Sequence, residues 1–182
     1  MSASGLLSFC GSIPVLAGLI VVAPTARADA PDILAGRGVQ ITGYGLWEPD
    51  DKPAVAHFAP GSVEGVLRSY GGSRLVLETS EVCAHLHTRI GIFFRLEPSV
   101  AQTWWDVTVW GDHPELVTTD GRHETRAEWE WWAGRNESMA GLSMDKPYQV
   151  LPGLWTLSLV HDGEVVARKS FHVSVHCDAP IS

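Results

Sequence analysis

The sequence lacks an excess of basic residues. It contains 13 lysine and arginine residues against 21 aspartate and glutamate residues, which gives a formal net charge of −8 at pH 7. Nucleic acids and anionic membrane surfaces attract proteins that carry basic patches. The composition therefore argues against both of them as partners.

The common sequence motifs of catalysis are also absent. The chain has no Gly-x-Ser-x-Gly nucleophile elbow, no phosphate-binding loop and no His-Glu-x-x-His zinc motif. It has no internal repeat and no long helical periodicity. We therefore expect a protein that is not helical and that needs no cofactor. Whether it is an enzyme stays open, and the missing motifs favour a protein without catalytic activity.

Long hydrophobic runs are missing as well. The longest apolar stretch, Ile13–Ala23, is interrupted by Gly18 and is shorter than the ~20 residues that a membrane-spanning helix needs. Ala26-Arg27-Ala28 follows it with the small residues of a signal-peptidase site, although no lysine or arginine precedes Arg27. We predict a signal peptide over residues 1–28, cleavage after Ala28, and export to the periplasm or the medium without a membrane span.

Cysteine is scarce. Cleavage would remove Cys10 and leave Cys83 and Cys177. In an oxidising compartment the simplest interpretation is one disulfide between them, and two free buried thiols are the alternative. Removing 28 of the 182 residues leaves 154, enough for one domain. We place this domain at 39–177, between a flexible leader, 29–38, and a tail, 178–182.

Apolar and polar residues alternate along most of this domain, as they do in strands with one buried face. The runs Ile90–Leu96 and Trp155–Leu159 show the pattern most clearly. Asp162-Gly163 follows the second run and predicts a type I′ hairpin, because both central residues of that turn need a positive φ. About seven to eight short strands predict an antiparallel β-sandwich.

Some segments depart from the alternation. Glu48–Pro60 contains three prolines and is expected to be largely irregular. Residues 124–132 fit either a strand or a short helix, and Arg135–Pro147 is expected to be a loop. Lys169 interrupts the inward phase of the last strand, which predicts a bulge or a sheet edge there.

Tryptophan is unusually frequent, with eight residues in the chain. Trp105 and Trp155 lie in the apolar phase of their strands and are predicted to be core. Other tryptophans lie beside acidic residues, where exposed rings could stack on sugars or anchor a protein partner. The alternative is that they fill a thin core. The candidate binding surface consists of Trp104, Trp110, Trp129, Trp131, Glu128 and Glu130.

Two further groups have possible chemistry. Cys83, His85 and His87 occupy every second position, so that on a strand their side chains would share one face and could bind zinc or copper. The alternative is a disulfide-bonded Cys83 beside two exposed histidines. Glu128 and Glu130 could serve a hydrolase only if two carboxylates face each other across a cleft. A solvated strand edge explains them better.

Three stretches carry a family resemblance: ITGYGLWE at Ile41–Glu48, RIGIFF at Arg89–Phe94, and the pair PGLWT and ARKSF at Pro152–Thr156 and Ala167–Phe171. They resemble a bacterial family known as domain of unknown function 3859. The resemblance implies an immunoglobulin-like sandwich and assigns neither an activity nor catalytic residues. We therefore expect an exported sandwich that binds a protein or glycan of the cell envelope. A periplasmic metal-binding protein and a hydrolase are the alternatives.

Overall fold

In the computed structural model, most of the described chain forms strands. The described residues are 30–51, 54–70, 72–100, 105–133 and 136–177. The predicted signal peptide and the predicted tail lie outside them. Within these ranges the chain forms twelve strands and one 3₁₀ turn, Pro147–Gln149. No helix in these ranges is long and apolar enough to cross a membrane.

The first sheet consists of β1 (Ala35–Gly36), β2 (Val39–Pro49), β5 (Ser73–Glu78), β7 (Arg89–Leu96) and β10 (Ser138–Ser143). β2 and β7 lie at its centre. β10 is one edge, and β1 and β5 pair with the two ends of β2 on the other side. All pairs in this sheet are antiparallel.

The second sheet has the order β6-β12-β11-β8-β9, and only the β6–β12 pair among the described strands is parallel. A separate antiparallel hairpin is formed by β3 and β4. The strands of the sheet are β6 (Glu81–Cys83), β8 (Trp105–Val117), β9 (His123–Ala133), β11 (Gly153–His161) and β12 (Glu164–Ser174). The hairpin strands are β3 (Val55–Phe58) and β4 (Val66–Ser69).

The core lies between the two sheets. Ile90, Ile92 and Phe94 of β7 are fully buried against Leu157 and Leu159 of β11, as their alternation predicts. Burying one face of each sheet in this way removes apolar surface from water and stabilises the pair of sheets. The predicted antiparallel β-sandwich is confirmed.

The last two strands form the predicted hairpin. Asp162 and Gly163 both have positive φ, +50° and +77°, as a type I′ turn requires. Trp155 pairs with Phe171 and is buried. The strand count exceeds the predicted seven to eight because several segments, such as β1 and β6, are only two or three residues long.

Lys169 does not lie at a bulge: it pairs in register with Leu157, and the irregularity lies further along, between Leu159 and Val160. On its other side β12 pairs with β6 only at His172–Ser174, so at Lys169 that side is a sheet edge, as predicted, next to the single bridge between Ile33 and Arg168. The Lys169 side chain points into the sandwich, where its Nζ lies 2.5 Å from Asp32 Oδ2 and 4.3 Å from the centroid of the Tyr44 ring. A buried ammonium needs such a partner, because burying it unpaired would be costly.

The predicted flexible leader, 29–38, makes further contacts with the sandwich. Asp32 also accepts a hydrogen bond from the Ser170 backbone N–H at 2.8 Å. Ile33 forms a bridge with Arg168 of β12, whereas β1 pairs with β2 of the other sheet. The described part of this segment therefore joins both sheets.

The chain between β9 and β11 also differs from the expectation. Residues 124–132 belong to strand β9, which settles the choice between strand and helix. The expected loop Arg135–Pro147 contains β10, whose sequence SMAGLS has little alternation and is held as a strand by pairing with β7. The expected irregular segment Glu48–Pro60 contains β3.

Candidate functional site

An open groove with a volume of about 900 Å³ lies on the side of the sandwich where β9 and β10 are the edges of the two sheets. Residues of β9, of β10 and of the β3–β4 hairpin line it. The same side therefore brings together two sheet edges and a hairpin. The aromatic residues that line the groove are Trp47, Tyr70, Phe93, Trp129 and Trp131.

The tip of the hairpin is attached to the edge of β9. The backbone N–H of Glu128 donates to the carbonyl of Gly61 at 3.0 Å. Both backbone groups of Val63 are also bound: its N–H donates to the Glu124 carboxylate, and its carbonyl accepts from the Arg122 guanidinium. The hairpin thus covers part of the β9 edge and forms a fixed wall of the groove.

A buried pair of side chains, His113 and Glu124, positions the carboxylate that binds Val63. His113 Nε2 lies 3.2 Å from Glu124 Oε1, and the two side chains are only 1% and 10% exposed. His113 Nδ1 lies 2.9 Å from the Pro114 carbonyl oxygen, which can only accept, so this nitrogen carries a proton. The contact with Nε2 fixes one carboxylate oxygen of Glu124 while the other accepts from Val63.

Asp120 orients the arginine that holds Val63. Its carboxylate accepts from the Thr118 hydroxyl and, at 2.9 Å, from Arg122 Nε. The hydrogen bond from Thr118, followed by that from Arg122, lowers the pKa of Asp120 below its ordinary value. At neutral pH the turn therefore presents a fixed guanidinium to the hairpin.

One face of the hairpin is exposed and apolar. Phe58 is 85% exposed and lies directly opposite Val66, which is 46% exposed. Arg68 lies two residues further on the same strand and therefore on the same face. Phe58 and Val66 thus expose apolar surface on adjacent strands, and contiguous exposed apolar surface is a feature of sites that contact other molecules.

The floor of the groove contains Trp47, which packs on glycines of neighbouring strands. Gly45, Gly91 and Gly141 lie in register across β2, β7 and β10. The Trp47 indole lies over two of them, since a Cβ added at Gly91 or Gly141 would come within 2.9 or 2.6 Å of indole atoms. Trp47 Nε1 also donates to the Ile90 carbonyl at 3.1 Å. This ring is buried, and its role is to hold β10 in place.

The outer edge of β10 is open. The Met144 N–H donates to the Thr88 carbonyl, and the antiparallel ladder alternates from there along the strand. The N–H and C=O groups of Met139, Gly141 and Ser143 therefore point away from β7, and no other described strand pairs with them. The strand contains no charged residue and no proline, which are the usual protections of an exposed edge.

The predicted binding residues are divided between two surfaces. Trp129 and Trp131 face the inside of the sandwich at the groove, where Trp129 is buried at 7% exposure and Trp131 is half-buried. The expectation of an exposed ring is therefore wrong for Trp129, because the inward phase of β9 falls on the tryptophans. Trp104 and the side chain of Trp105 lie outside what the structure describes.

Trp110, Glu128 and Glu130 lie on the outer face of the second sheet. Trp110 is half-buried and opposes Glu128 across the β8–β9 pair. The guanidinium of Arg126 lies 4.3 Å from the centroid of the Trp110 ring and binds Asp112 through two hydrogen bonds, at 2.7 and 3.1 Å. Glu128 and Glu130 share one face of one strand and do not oppose each other across a cleft.

The predicted zinc or copper site does not form. Cys83 is disulfide-bonded to Cys177, as the sequence predicts, with the two Cα atoms 5.9 Å apart. Its sulfur is therefore not a free thiolate. Strand β6 ends at Cys83, and His87 has a left-handed φ of +72°, so His85 and His87 do not continue a strand face. No cluster of three possible ligands occurs among the described residues.

Several residues of the groove were not anticipated from the sequence. Val66 and Arg68 belong to a hairpin that has no strong alternation and that begins inside the proline-containing segment, and β10 has mostly small side chains. The available signal was glycine: Gly45 and Gly91 occur in strands that otherwise alternate well. Glycine inside a strand often marks the close approach of another group.

Comparison with known proteins gives a family and a fold. A family model described as a domain of unknown function (DUF3859) matches residues 39–173. A search of curated proteins finds no match. The crystal structure of an immunoglobulin-like protein from Pseudomonas aeruginosa is similar, with a TM-score of 0.55 and 22% sequence identity over 77% of this chain and 99% of that one. At this identity the likeness shows the fold alone.

Proposed function

Given that the chain belongs to the DUF3859 family, we propose that it is an exported, non-catalytic binding module whose groove holds a protein of the cell envelope. The observation that carries the proposal is the groove of about 900 Å³ between the open edge of β10 and the hairpin that exposes Phe58. These features offer a partner both unpaired backbone groups and an exposed aromatic anchor.

The walls of the groove are held in place before a partner arrives. The hairpin tip is bound through Gly61 and Val63, and the floor is fixed by Trp47 over the glycines. The Tyr148 hydroxyl also donates to Glu64, which ties the hairpin to the chain that follows β10. A preformed site loses less conformational entropy on binding, which supports a binding role.

The groove suits a protein better than a glycan. Stacking on sugars needs accessible ring faces, but of the two β9 tryptophans that line the groove Trp129 is buried and Trp131 is half-buried. The exposed groups are Phe58, Val66 and the backbone of β10. Backbone groups and apolar side chains are what an extended polypeptide recognises.

Export is supported by two features of the chain. Residues 1–28 have the apolar run and small-residue site of a signal peptide. The Cys83–Cys177 disulfide is of the kind that persists in oxidising compartments. We therefore place the binding event in the periplasm or outside the cell.

In-cell photocrosslinking tests this proposal. The full chain is expressed with a C-terminal tag, and a photoreactive benzoylphenylalanine replaces Phe58. The matched control carries the same group at Leu34, which is 42% exposed and lies next to β1, at the opposite edge of the first sheet. We expect a discrete adduct with an envelope protein from position 58 and none from position 34, and a mature chain that begins at Asp29.

Two results would overturn the proposal. The absence of any protein adduct from position 58, or equal adducts from both positions, would show that the hairpin face is not a binding surface. A chain that keeps residues 1–28 and stays in the cytoplasmic fraction would refute export.

A further inference from the structure

We infer that the groove binds an extended, acidic segment of the partner, which adds as a strand to the edge of β10. This inference deepens the proposed function and rests on it. The juxtaposition that carries it is the open backbone of β10 beside a hairpin face whose Arg68 forms no ion pair within the described ranges.

β10 is the sheet edge best suited to receive a strand. The edge of β9 is covered at Glu128 by Gly61, and β1 and β6 are only two and three residues long. β5 is protected by the exposed charges of Arg74 and Glu78. β10 has six residues, none of them charged, and is therefore long enough to pair with a segment of about six residues, roughly 20 Å in length.

The two faces of an added strand would meet different surroundings. Its inward side chains would approach Trp131 and Leu142, which line the groove between the sheets. Its outward side chains would approach the hairpin at Val66 and Arg68. The first face favours apolar side chains, and the second favours side chains that pair with a guanidinium.

Two of the three acidic residues that line the groove form ion pairs with arginines. Glu137 lies 3.3 Å from Arg95, and Asp145 lies 3.9 Å from Arg89 and 3.3 Å from His87. Glu64 accepts a hydrogen bond from the Tyr148 hydroxyl, which leaves its negative charge in place.

The basic groups of the groove have fewer ion-pair and hydrogen-bond partners among the described residues. Arg68 and Lys146 are exposed, and neither forms an ion pair with another described residue. The Nε of Arg89 is buried and has no hydrogen-bond partner in the described part of the chain. Arg95 and Arg89 offset the charges of Glu137 and Asp145. The exposed cations Arg68 and Lys146 then stand against one carboxylate, Glu64, so the groove keeps an excess of one positive charge although the whole chain is acidic. Exposed charges act over about one Debye length, ~8 Å at physiological salt, so the local excess decides which partner fits.

Selection from a displayed library of random ten-residue peptides tests the inference on the mature chain, residues 29–182. We expect the selected peptides to combine β-branched residues with aspartate or glutamate and to lack internal proline. On addition of a selected synthetic peptide, the amides of Met139, Gly141 and Ser143 should become protected from hydrogen exchange, whereas amides of β5 should not change.

Backbone methylation of the peptide gives the sharpest control because it needs no protein variant. In an added strand only alternate N–H groups face β10. N-methylation of one alternate set should weaken binding at least tenfold, and methylation of the other set should change it less than threefold. On the protein, Met139→Pro should weaken binding, and the double variant Arg68→Glu, Lys146→Glu should shift selection from acidic to basic peptides.

Three outcomes would overturn the inference. They are equal effects of the two methylation sets, protection that does not include β10, and selection of basic peptides by the unaltered protein. A dimer that forms at low concentration and is lost in Met139→Pro would make a second copy the occupant. If the crosslink at position 58 appears but the methylation sets are equivalent, the proposed function stands and strand addition is wrong.

Discussion

Lys169 and Asp32 lie 137 positions apart in the sequence, yet the Lys169 Nζ and the Asp32 Oδ2 are 2.5 Å apart at the rim of the core. The lysine side chain is 7% exposed and the aspartate side chain 31%. This pair connects the first residues of the described domain to the middle of its last strand. It also supplies the partner that the inward-pointing ammonium of β12 needs.

The first prediction concerns this ion pair. Asp32→Asn should lower the free energy of unfolding by roughly 1–3 kcal/mol, less than for a fully buried pair because Asp32 is partly exposed. Urea denaturation of the variant measures the loss. The double variant Asp32→Asn, Lys169→Met should recover part of it, because no charge is then left unpaired. A single variant as stable as the parent protein would show that water replaces the carboxylate.

The second prediction concerns the disulfide. It closes a loop with a sequence separation of 94, which restricts the unfolded chain. Cys83→Ser with Cys177→Ser should cost about 2–5 kcal/mol of unfolding free energy. Thermal unfolding with and without a reductant measures the effect in the parent protein. The double variant serves as the control, because its melting temperature should not respond to the reductant.

The third prediction concerns the glycine floor. Gly141→Ala would place a Cβ 2.6 Å from Trp47 Nε1 and 2.8 Å from the Ile90 carbonyl. We expect a loss of about 1–3 kcal/mol and a red shift of tryptophan emission as the indole moves outward. Gly43→Ala is the matched control, since its Cβ would come closest to the flexible end of Leu75, at 3.2 Å, and would meet Phe93 only at an ordinary contact distance, 3.8 Å. Equal effects of the two substitutions would contradict the proposed contact with Trp47.

The fourth prediction concerns the hairpin anchor. Glu124→Ala removes the acceptor of the Val63 N–H and leaves the buried His113 without its carboxyl partner. The Val63 amide should exchange faster, with a loss of roughly 1–3 kcal/mol in local or global stability. Glu128→Ala, an exposed glutamate on the same strand, should leave Val63 unchanged. Unaltered exchange at Val63 in Glu124→Ala would mean that Arg122 and the backbone hydrogen bond at Gly61 hold the hairpin without Glu124.

The fifth prediction concerns acid. The Thr118 hydroxyl and the Arg122 guanidinium lower the pKa of Asp120 from its ordinary value of 3.8. A lowered carboxyl pKa stabilises the folded chain at pH values above that ordinary value. The contribution is lost as the pH falls from 3.8 through the lower folded pKa. A carbon NMR titration of the Asp120 carboxyl should show this, and Thr118→Val should move its pKa back towards 3.8. An unchanged titration in Thr118→Val would rule out the hydroxyl as the main cause.

The sandwich could be predicted from the sequence because its central strands obey a simple period. Ile90, Ile92 and Phe94 face inward with no exception, and the φ values of Asp162 and Gly163 are those that their residue types favour. These features depend only on neighbours along the chain. The disulfide could likewise be predicted from the cysteines that remain after the expected cleavage.

The groove could not be predicted in the same way because pairing between distant segments creates it. β10 is a strand only because β7 lies beside it, and Trp47 is buried only because two glycines on other strands leave room. Whether Trp129 is exposed depends on which set of alternate residues in β9 faces inward. Its neighbours Glu128 and Glu130 decide this only once the pairing register of β9 with β8 is known.

The position of Trp47 also affects the order of assembly. β10 pairs with β7 across 44 to 54 residues, and Trp47 contacts Gly141 across 94. Contacts between segments so far apart in the chain form slowly. A chain that ends before β10 has no finished edge to offer a partner, so binding at this edge requires the chain to be complete through β10.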